Sequence, residues 1–272
     1  MNPASCAGFF LLCRPNRIDM ITRWLRDTRM GYIAGQAGIM RRMLREEGGW
    51  QNHLAKTSEY ILQAVKTQQP KSIRILGSGW LLDVPMKYLI ESCERIVLSD
   101  ISHPNQIVNK YSKYKNIEFE TIDITGGIVE LGYKQKRNNY NHEEFIHQIE
   151  NASHFNFTED LIISVNLLSQ LSIILTDYLS KKMGLTNQQT IDIAEAIQKK
   201  HIELLPIGKS LLIADYEEEF FDDDDKFIGS KPTVYITFPI RGARQEWRWN
   251  FDTKMMYKEE CKTILRVVAV QL

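Results

Sequence analysis

The sequence predicts an α/β protein with a mostly parallel seven-stranded sheet, helices on both faces, an antiparallel C-terminal edge and an N-terminal helical segment. Short apolar runs alternate with helical segments from residue 71 to residue 214, an order typical of parallel strands joined by helices. After residue 230 the apolar alternation continues without helical segments, which favours antiparallel strands at the edge of the same sheet.

The segment before the sheet is predicted to be helical. Apolar side chains recur at helical spacing from Ile21 to Val65, and Gly48-Gly49 interrupts the pattern. We therefore interpret residues 20–70 as a helical cap on a main domain that covers residues 71–272, a size that α/β folds reach as one unit.

Residues 1–19 fit neither pattern. Their apolar run, Phe9 to Cys13, is followed by basic residues, whereas a secretory signal has its basic residues first. We expect a disordered extension here and a translation start close to Met20. No stretch reaches the ~18 apolar residues that span a bilayer, so no membrane partner is expected.

The elements of the main domain follow from the apolar runs and the residues that bound them. The predicted parallel strands are 72–76, 95–99, 117–122, 160–165 and 210–214, and the predicted helices are 84–92, 102–114 and 187–205. Polar residues 124–159 hold either an insertion or a helix. The predicted edge strands are 233–238, 247–251 and 264–270.

An acidic run at residues 217–225 is predicted to be a solvated loop, because runs of one charge usually face water. A metal site there would need spaced ligands on a folded loop. The cysteines Cys6, Cys13, Cys93 and Cys261 form no C-x-x-C pair and have no His cluster beside them. We therefore expect no metal site, no disulfide framework and a reducing, cytoplasmic location.

The charge balance sets limits on the partners. Lys+Arg 34 equals Asp+Glu 34, so the formal net charge is zero and no nucleic-acid patch is indicated. Hydrophobic residues make up 43%, enough for a core of normal size. The oligomeric state stays open.

The turn after the first strand carries the strongest functional signal. Gly77 and Gly79 permit a tight turn and the close approach of a ligand to the backbone. Asp83 is predicted to cap the following helix, with Pro85 in its first turn. Free N–H groups at this point can bind a polar ligand, although many tight turns use glycine.

Two acids follow the next strands. Asp100 lies 23 residues after Gly77 at the end of the second strand, where dinucleotide-binding folds place an acid that accepts hydrogen bonds from ribose hydroxyls. Asp123 ends the third strand, where an adenine amino group could donate to it. Each acid alone could equally cap a loop, but their places at successive strand ends favour a ligand site.

Together these residues resemble the class I S-adenosylmethionine-dependent methyltransferases. The segment Ile75-Leu76-Gly77-Ser78-Gly79 is similar to their motif I, Asp100 to their ribose-binding acid and Asp123 to their adenine-side acid. Residues 161–166 resemble their motif IV strand. The stretches 77–85, 100–104 and 166–171 also resemble a little-described bacterial group of methyltransferase-like proteins.

The resemblance covers residues 70–272 in layout and implies a Rossmann-like fold with S-adenosyl-L-methionine as the cofactor. The implied cofactor-binding residues are Gly77, Ser78, Gly79, Asp100, Ile101, Asp123, Ile124 and Asn166. Candidates for the acceptor wall lie at strand ends on the same side, where open α/β sheets bind ligands. They are Asn166, Ser169, Gln170, Asp215 and Tyr216. The methyl acceptor is unknown.

The sequence departs from the family pattern twice. The third glycine of motif I is Leu81 here, and motif IV ends in Asn166-Leu167-Leu168-Ser169. Enzymes that methylate amino nitrogens of bases have Asn/Asp-Pro-Pro-Tyr at that point, so a small molecule or a protein is the expected acceptor. No general base is evident, but positioning alone can drive methyl transfer from a sulfonium to a reactive nucleophile.

Three functions stay open. The first is methyl transfer, and the second is a non-catalytic S-adenosylmethionine-binding or scaffold role, which Leu81 and the missing base favour slightly. The third is a nicotinamide-dependent oxidoreductase, whose glycine pattern would need glycine where the chain has Leu82.

The helix after Gly48-Gly49 carries Trp50, His53 and Thr57 at a spacing that places them on one face. An aromatic ring beside two hydrogen-bonding groups is common in ligand pockets. We predict that this face closes over the methyl-donor site with Gly48-Gly49 as a hinge. The alternative is that Trp50 anchors the core and His53 caps a loop.

Overall fold

The computed structural model describes residues 17–153, 155–238 and 244–272. Most of the extension expected at residues 1–19 therefore lies outside the described residues, and residues 17–19 belong to the first helix. None of the described helices is long and apolar enough to cross a membrane.

Within this part of the chain, eight strands form one sheet, one more than the seven of the predicted fold class and as many as the strands predicted one by one. They are β1 Ser72–Leu76, β2 Arg95–Asp100, β3 Ile117–Thr121, β4 Leu161–Val165, β5 Ser210–Phe221, β6 Phe227–Pro232, β7 Arg244–Asp252 and β8 Lys262–Gln271. The order is β3-β2-β1-β4-β5-β8-β7, and β6 pairs with the far end of β5. Strands β1 to β5 are parallel, and β8 is antiparallel to both of its neighbours.

The helices are numbered in chain order and cover both faces of the sheet. They are α1 Arg17–Met30, α2 Tyr32–Arg45, α3 Gln51–Gln68, α4 Met86–Ser92, α5 Asn105–Tyr111, α6 Ile128–Lys134, α7 His142–Glu150, α8 Gln170–Met183 and α9 Asn187–Leu204. A short 3-10 turn, Arg137–Asn139, precedes α7. Helices α6 and α7 lie in the polar region 124–159, whereas α8 was missed by the sequence analysis.

The two-sided core follows from the alternation of side chains along the strands. Ile73 and Ile75 of β1 pack in a cluster with α3, α4 and α5. Leu76 faces the opposite side, in a cluster with Leu204 and Leu205 at the end of α9. The predicted α/β architecture with helices on both faces and an antiparallel edge is therefore confirmed.

The acidic run is not a loop throughout, and the prediction was wrong for its first half. Residues 217–221 continue strand β5, and Glu218 and Glu219 are buried. Lys258 pairs with Glu218 and Arg248 with Glu219, so cations from distant segments offset the buried charges. Residues 223–225 form the exposed turn before β6.

The predicted edge strand at residues 233–238 was also wrong, since the strand in this region is β6, at residues 227–232. Strand β6 pairs with residues 217–221 of β5, and this pairing ends at Glu217 and Pro232. Thr233 instead donates its N–H to the carbonyl of Tyr216 at 3.0 Å. The other two edge strands were predicted correctly within a few residues.

Candidate functional site

A cavity of about 410 Å³ opens at the carboxyl ends of the parallel strands. The chain runs from β1 to β2 and β3 on one side and returns to β4 and β5 on the other. The gap between β1 and β4 is therefore the point where the strand order reverses, which is where open α/β sheets bind ligands. Gly77 after β1 and Asn166 after β4 both line the cavity.

The glycine turn has the backbone that the sequence predicts. Gly77 and Gly79 have φ angles of 72° and 42°, in the region that favours glycine. A Cβ atom on Gly77 would lie 2.9 Å from Leu167 Cδ1, so the turn also leaves no room for a side chain. Leu81, in place of the third glycine, has a positive φ of 53° and is buried. The turn therefore keeps its shape at the cost of backbone strain at Leu81.

Asp83 does not cap helix α4, contrary to the prediction. Pro85 holds the N-cap position, and the Asp83 side chain turns into the cavity. There Asp83 Oδ2 accepts a hydrogen bond of 2.6 Å from Asn166 Nδ2. Burial raises the pKa of Asp83 to about 6. With this pKa, the Asp83 carboxyl can exchange a proton near neutral pH.

Asp100, at the end of β2, binds the backbone of the glycine turn through its carboxylate. Its Oδ2 accepts from Gly79 N at 2.8 Å, and its Oδ1 accepts from Ser102 N at 3.1 Å. Burial raises the pKa of Asp100. Gln36 Nε2 also donates to Oδ1, at 3.4 Å. A carboxylate offers about four lone-pair sites, so these three bonds leave limited acceptor capacity for a ligand in the cavity.

Asp123 caps the turn that follows β3. Its Oδ1 accepts from the backbone N–H and the hydroxyl of Thr125, and its Oδ2 accepts from Val129 N at 3.2 Å. Burial raises its pKa as well. The loop-cap role is therefore present at Asp123, and its side chain also lines the cavity beside Ile101 and Ile124.

Trp50 and His53 form part of the opposite wall, whereas Thr57 is fully buried behind it. Trp50 precedes helix α3 and donates its indole N–H to the carbonyl of Phe251 at 3.0 Å. It is a core anchor and a wall residue at once, so the two alternatives weighed for this position are not exclusive.

His53 is held in a neutral form. It stacks on Trp249 with 3.8 Å between ring centroids, and its Nδ1 accepts from the indole N–H of Trp247 at 3.1 Å. Burial lowers the pKa of His53 to about 3. His53 Nε2 lies 3.0 Å from Asn166 Nδ2 and 3.9 Å from Asp83 Oδ2.

Trp247 and Trp249 contact His53, and neither was predicted from the sequence as a site residue. The spacing of Trp247 and Trp249 puts both indoles on one face of β7. The sequence signalled that shared face, but it did not show that α3 packs against it.

The candidate acceptor-wall residues at the ends of β4 and β5 do not all line the cavity. Ser169, Gln170 and Asp215 line the cavity, and Ser169 Oγ donates to Asp215 Oδ1 at 2.7 Å. Burial raises the pKa of Asp215. Tyr216 does not line the cavity; it lies at a β-bulge of β5, between Asp215 and Glu217. Its hydroxyl donates to Glu246 instead.

Helix α2 forms a roof that the sequence analysis did not identify. Tyr32, Gln36, Ile39 and Arg42 line the cavity, and their spacing of three or four residues is that of one helix face. Gln36 Nε2 donates to the carbonyl of Ser102 at 3.2 Å. The indole N–H of Trp80 donates to the carbonyl of Gln36 at 2.7 Å. These bonds fix the roof above the glycine turn.

The cavity is strongly acidic. Its lining contains five carboxyl groups: Asp83, Asp100, Asp123, Asp215 and Glu218. Arg42 is the only lysine or arginine among the described residues that line it. Burial is the main cause of the raised pKa of the four aspartates, so a positively charged ligand would stabilise their ionised forms.

No family model and no curated protein matches this sequence. Solved structures that resemble it include 1,6-didemethyltoxoflavin-N1-methyltransferase of Burkholderia thailandensis (10% identity, TM-score 0.41, 95% of this chain and 92% of that one). DhpI in complex with S-adenosylhomocysteine (SAH) shows 11% identity, a TM-score of 0.39 and coverage of 91% and 97%. The N-methyltransferase NodS of Bradyrhizobium japonicum WM9 shows 10% identity and a TM-score of 0.36, and the match covers 84% of this chain and 99% of that one.

The parallel strands β1 to β5, with β8 antiparallel between β5 and β7, form a doubly wound sheet of seven strands. Strand β6, a hairpin partner on the extended end of β5, is an addition to that sheet. The chain therefore has a Rossmann-like α/β fold with an antiparallel C-terminal edge, as the sequence predicts.

Proposed function

We propose that this chain binds S-adenosylmethionine and transfers its methyl group to a small molecule held in the same cavity. The observation that carries the proposal is an acidic cavity across the β1–β4 gap, with one cationic side chain in its described lining. The cofactor carries a positive sulfonium, and such a charge is stabilised by carboxylates in a partly desolvated site.

The cofactor is assigned to the half of the cavity near the glycine turn. Asp100 would accept from the ribose hydroxyls with its remaining lone pairs, and Asp123 would accept from the adenine amino group. Ile101 and Ile124 supply apolar surface beside these acids. Gly77 allows the cofactor to approach the backbone, because no Cβ occupies that space.

The acceptor is assigned to the half enclosed by α2, α3 and β7. Trp50, Trp249 and Phe251 form an aromatic wall there, and Ser169 and Asp215 lie at the ends of the strands. A concave, mostly apolar pocket suits a small molecule better than a protein side chain on a bulky partner.

Asp83 supports turnover over a purely binding role. Its carboxyl lines the cavity beside Asn166, and its pKa of about 6 keeps most of it ionised at neutral pH. We assign to it the role of accepting the proton that leaves the acceptor nucleophile. A base with a pKa near the operating pH is the most effective kind.

The test combines binding and turnover. Isothermal titration and thermal unfolding are measured with SAH and with NAD⁺, since a ligand that binds the native state raises the melting temperature. We expect a shift with SAH alone. A shift with NAD⁺ alone would support an oxidoreductase instead.

Turnover is then measured with methyl-labelled cofactor and a cell extract divided by ultrafiltration. We expect label to enter compounds of the low-molecular-mass filtrate. Label only in the retained protein would contradict a small acceptor, and SAH binding without transfer to either fraction would support the non-catalytic role.

A further inference from the structure

Arg42 reaches the acceptor half of the cavity without an ionic partner. Its guanidinium lies over the rings of Phe251 and Tyr257, at 4.4 Å and 4.7 Å from their centroids. Its Nε is buried and has no hydrogen-bond partner within the protein. Among the described residues, no carboxylate lies within ion-pair distance of this side chain.

The acids on the segments around Arg42 bind other donors. Glu46 accepts from the backbone N–H and the hydroxyl of Thr253. Glu218 binds Lys258 and the hydroxyl of Tyr257. Asp252 uses Oδ2 for two backbone N–H groups, and its buried Oδ1 has no partner. Of these three acids in the described part of the chain, Asp252 is the one with a buried oxygen free to compete for Arg42.

Trp249 supplies a second unpaired donor on the same wall. The indole N–H groups of Trp50 and Trp247 both have acceptors, at Phe251 O and at His53 Nδ1. The indole N–H of Trp249 has none, although the side chain is 5% exposed and lines the cavity. A buried donor without an acceptor costs free energy, so its retention calls for an explanation.

We propose that Arg42 and Trp249 form a subsite for a carboxylate of the methyl acceptor. The inference rests on the proposed function. Both unpaired groups are donors, so the ligand must supply acceptor atoms. A guanidinium matches a carboxylate in shape and charge. A singly charged carboxylate also suits this acidic cavity better than a doubly charged phosphate, which the five surrounding acids would repel.

The position of Arg42 separates this subsite from the cofactor half. The side-chain amide of Gln36 donates to Asp100 at 3.4 Å, and Arg42 lies six residues after Gln36 on the same helix. At a rise of ~1.5 Å per residue, the two lie about 9 Å apart along α2. The apolar body of the acceptor would then lie between them, against Ile39 and Leu265.

Phenylacetate is the probe for the subsite, with phenylacetamide as its neutral analogue. The protein is labelled with ¹⁵N and saturated with SAH, and the indole N–H signals of its 5 tryptophans are followed by NMR. The signal lost in Trp249→Phe identifies Trp249. We expect phenylacetate, and not phenylacetamide, to shift that signal.

The variants make the result specific. Arg42→Gln should weaken phenylacetate binding by about tenfold or more, because a charge-assisted bond is lost. Trp249→Phe keeps an aromatic ring without the N–H donor and should also weaken phenylacetate binding, which is followed through the signals of the other tryptophans. Arg41→Gln removes the same charge from an exposed position of α2 and should leave it unchanged. Equal responses to phenylacetate and phenylacetamide would overturn the proposal, as would wild-type binding in Arg42→Gln.

A second titration tests whether the carboxylate belongs to the cofactor instead. SAH contains a methionine-derived carboxylate, and 5′-methylthioadenosine lacks it. We expect Arg42→Gln to bind both as the wild type does. Weaker binding of SAH alone would overturn the assignment to the acceptor. Absence of SAH binding in the wild type would overturn the proposed function, and a titration with phenylacetate alone would then decide the anion site by itself.

Discussion

The backbone N–H of Gly79 donates to the carboxylate of Asp100 across 2.8 Å, so the acid expected to bind ribose also holds the glycine turn in place. Two consecutive strands, β1 and β2, meet through this bond. A substitution at Asp100 therefore acts on the fold and on the ligand site, and only a conservative variant separates the two effects.

Asp100→Asn should keep an oxygen for Gly79 and lose the charge. We expect binding of SAH to weaken by roughly tenfold to a hundredfold, since bonds to a charged acceptor contribute about 1.5–3 kcal/mol. Isothermal titration measures this, with the exposed Asp223→Asn as the control. Asp100→Ala should in addition lower the melting temperature without ligand, because two backbone N–H groups lose their acceptor. Unchanged SAH affinity in Asp100→Asn would remove this residue from the cofactor site.

Asp83→Asn should stabilise the protein in a pH-dependent way. Folding raises the pKa of Asp83 from 3.8 to about 6, so its favourable contribution is complete below the unfolded pKa and is lost as pH rises through the folded one. The variant should therefore gain about 2–3 kcal/mol over the wild type between pH ~4 and pH ~7. Denaturant unfolding at both ends of that range measures the gain. A constant difference across this range would contradict the buried carboxyl.

The same variant should lose turnover if Asp83 takes the acceptor proton. We expect SAH affinity close to that of the wild type and a kcat that no longer rises through pH ~6. Stability and activity would then change in opposite directions, which is common at sites built from buried charges. Wild-type kcat in Asp83→Asn would leave Asp83 with a structural role only.

Gly77→Ala and Gly184→Ala form a matched pair. Both glycines have positive φ, 72° and 75°, so both alanines incur similar backbone strain of about 1 kcal/mol. Only at Gly77 would the new Cβ meet an atom, Leu167 Cδ1 at 2.9 Å. Gly77→Ala should therefore lower the free energy of unfolding by about 1–3 kcal/mol more and weaken SAH binding. Equal losses in the two variants would show that Leu167 moves aside freely.

The predicted hinge at Gly48-Gly49 is held by Glu46. The Glu46 carboxylate accepts three hydrogen bonds from Thr253 at the end of β7. Glu46→Ala should lower the free energy of unfolding by about 1–3 kcal/mol and speed amide exchange in residues 47–52, because two partly buried donors of Thr253 lose their acceptor. Glu47→Ala changes the exposed neighbour and should do neither. Unchanged exchange in Glu46→Ala would argue against a hinge that this contact restrains.

The local part of the fold could be predicted from the sequence. Strands β1, β2 and β4 are short, mostly apolar runs, and the ends of β1 to β4 carry a glycine, an acid or an amide at Gly77, Asp100, Asp123 and Asn166. These signals lie within a few residues of the structure they produce. The parallel order then places all four at one edge of the sheet, so the site could be located before any contact was known.

Tertiary packing decided the rest. The charges of 217–221 are typical of a loop, but pairing with β8 and the cations Arg248 and Lys258 place this segment in a strand. The partner of the Trp247–Trp249 face, and the roof that brings Arg42 to Phe251, depend on contacts across some 200 residues of chain. Asp83 was predicted to cap a helix, but its carboxylate lies in the cavity, where it accepts a hydrogen bond from Asn166 at the end of another strand. Local sequence determines which element forms, whereas long-range pairing and burial determine which face it presents and which charges it can bury.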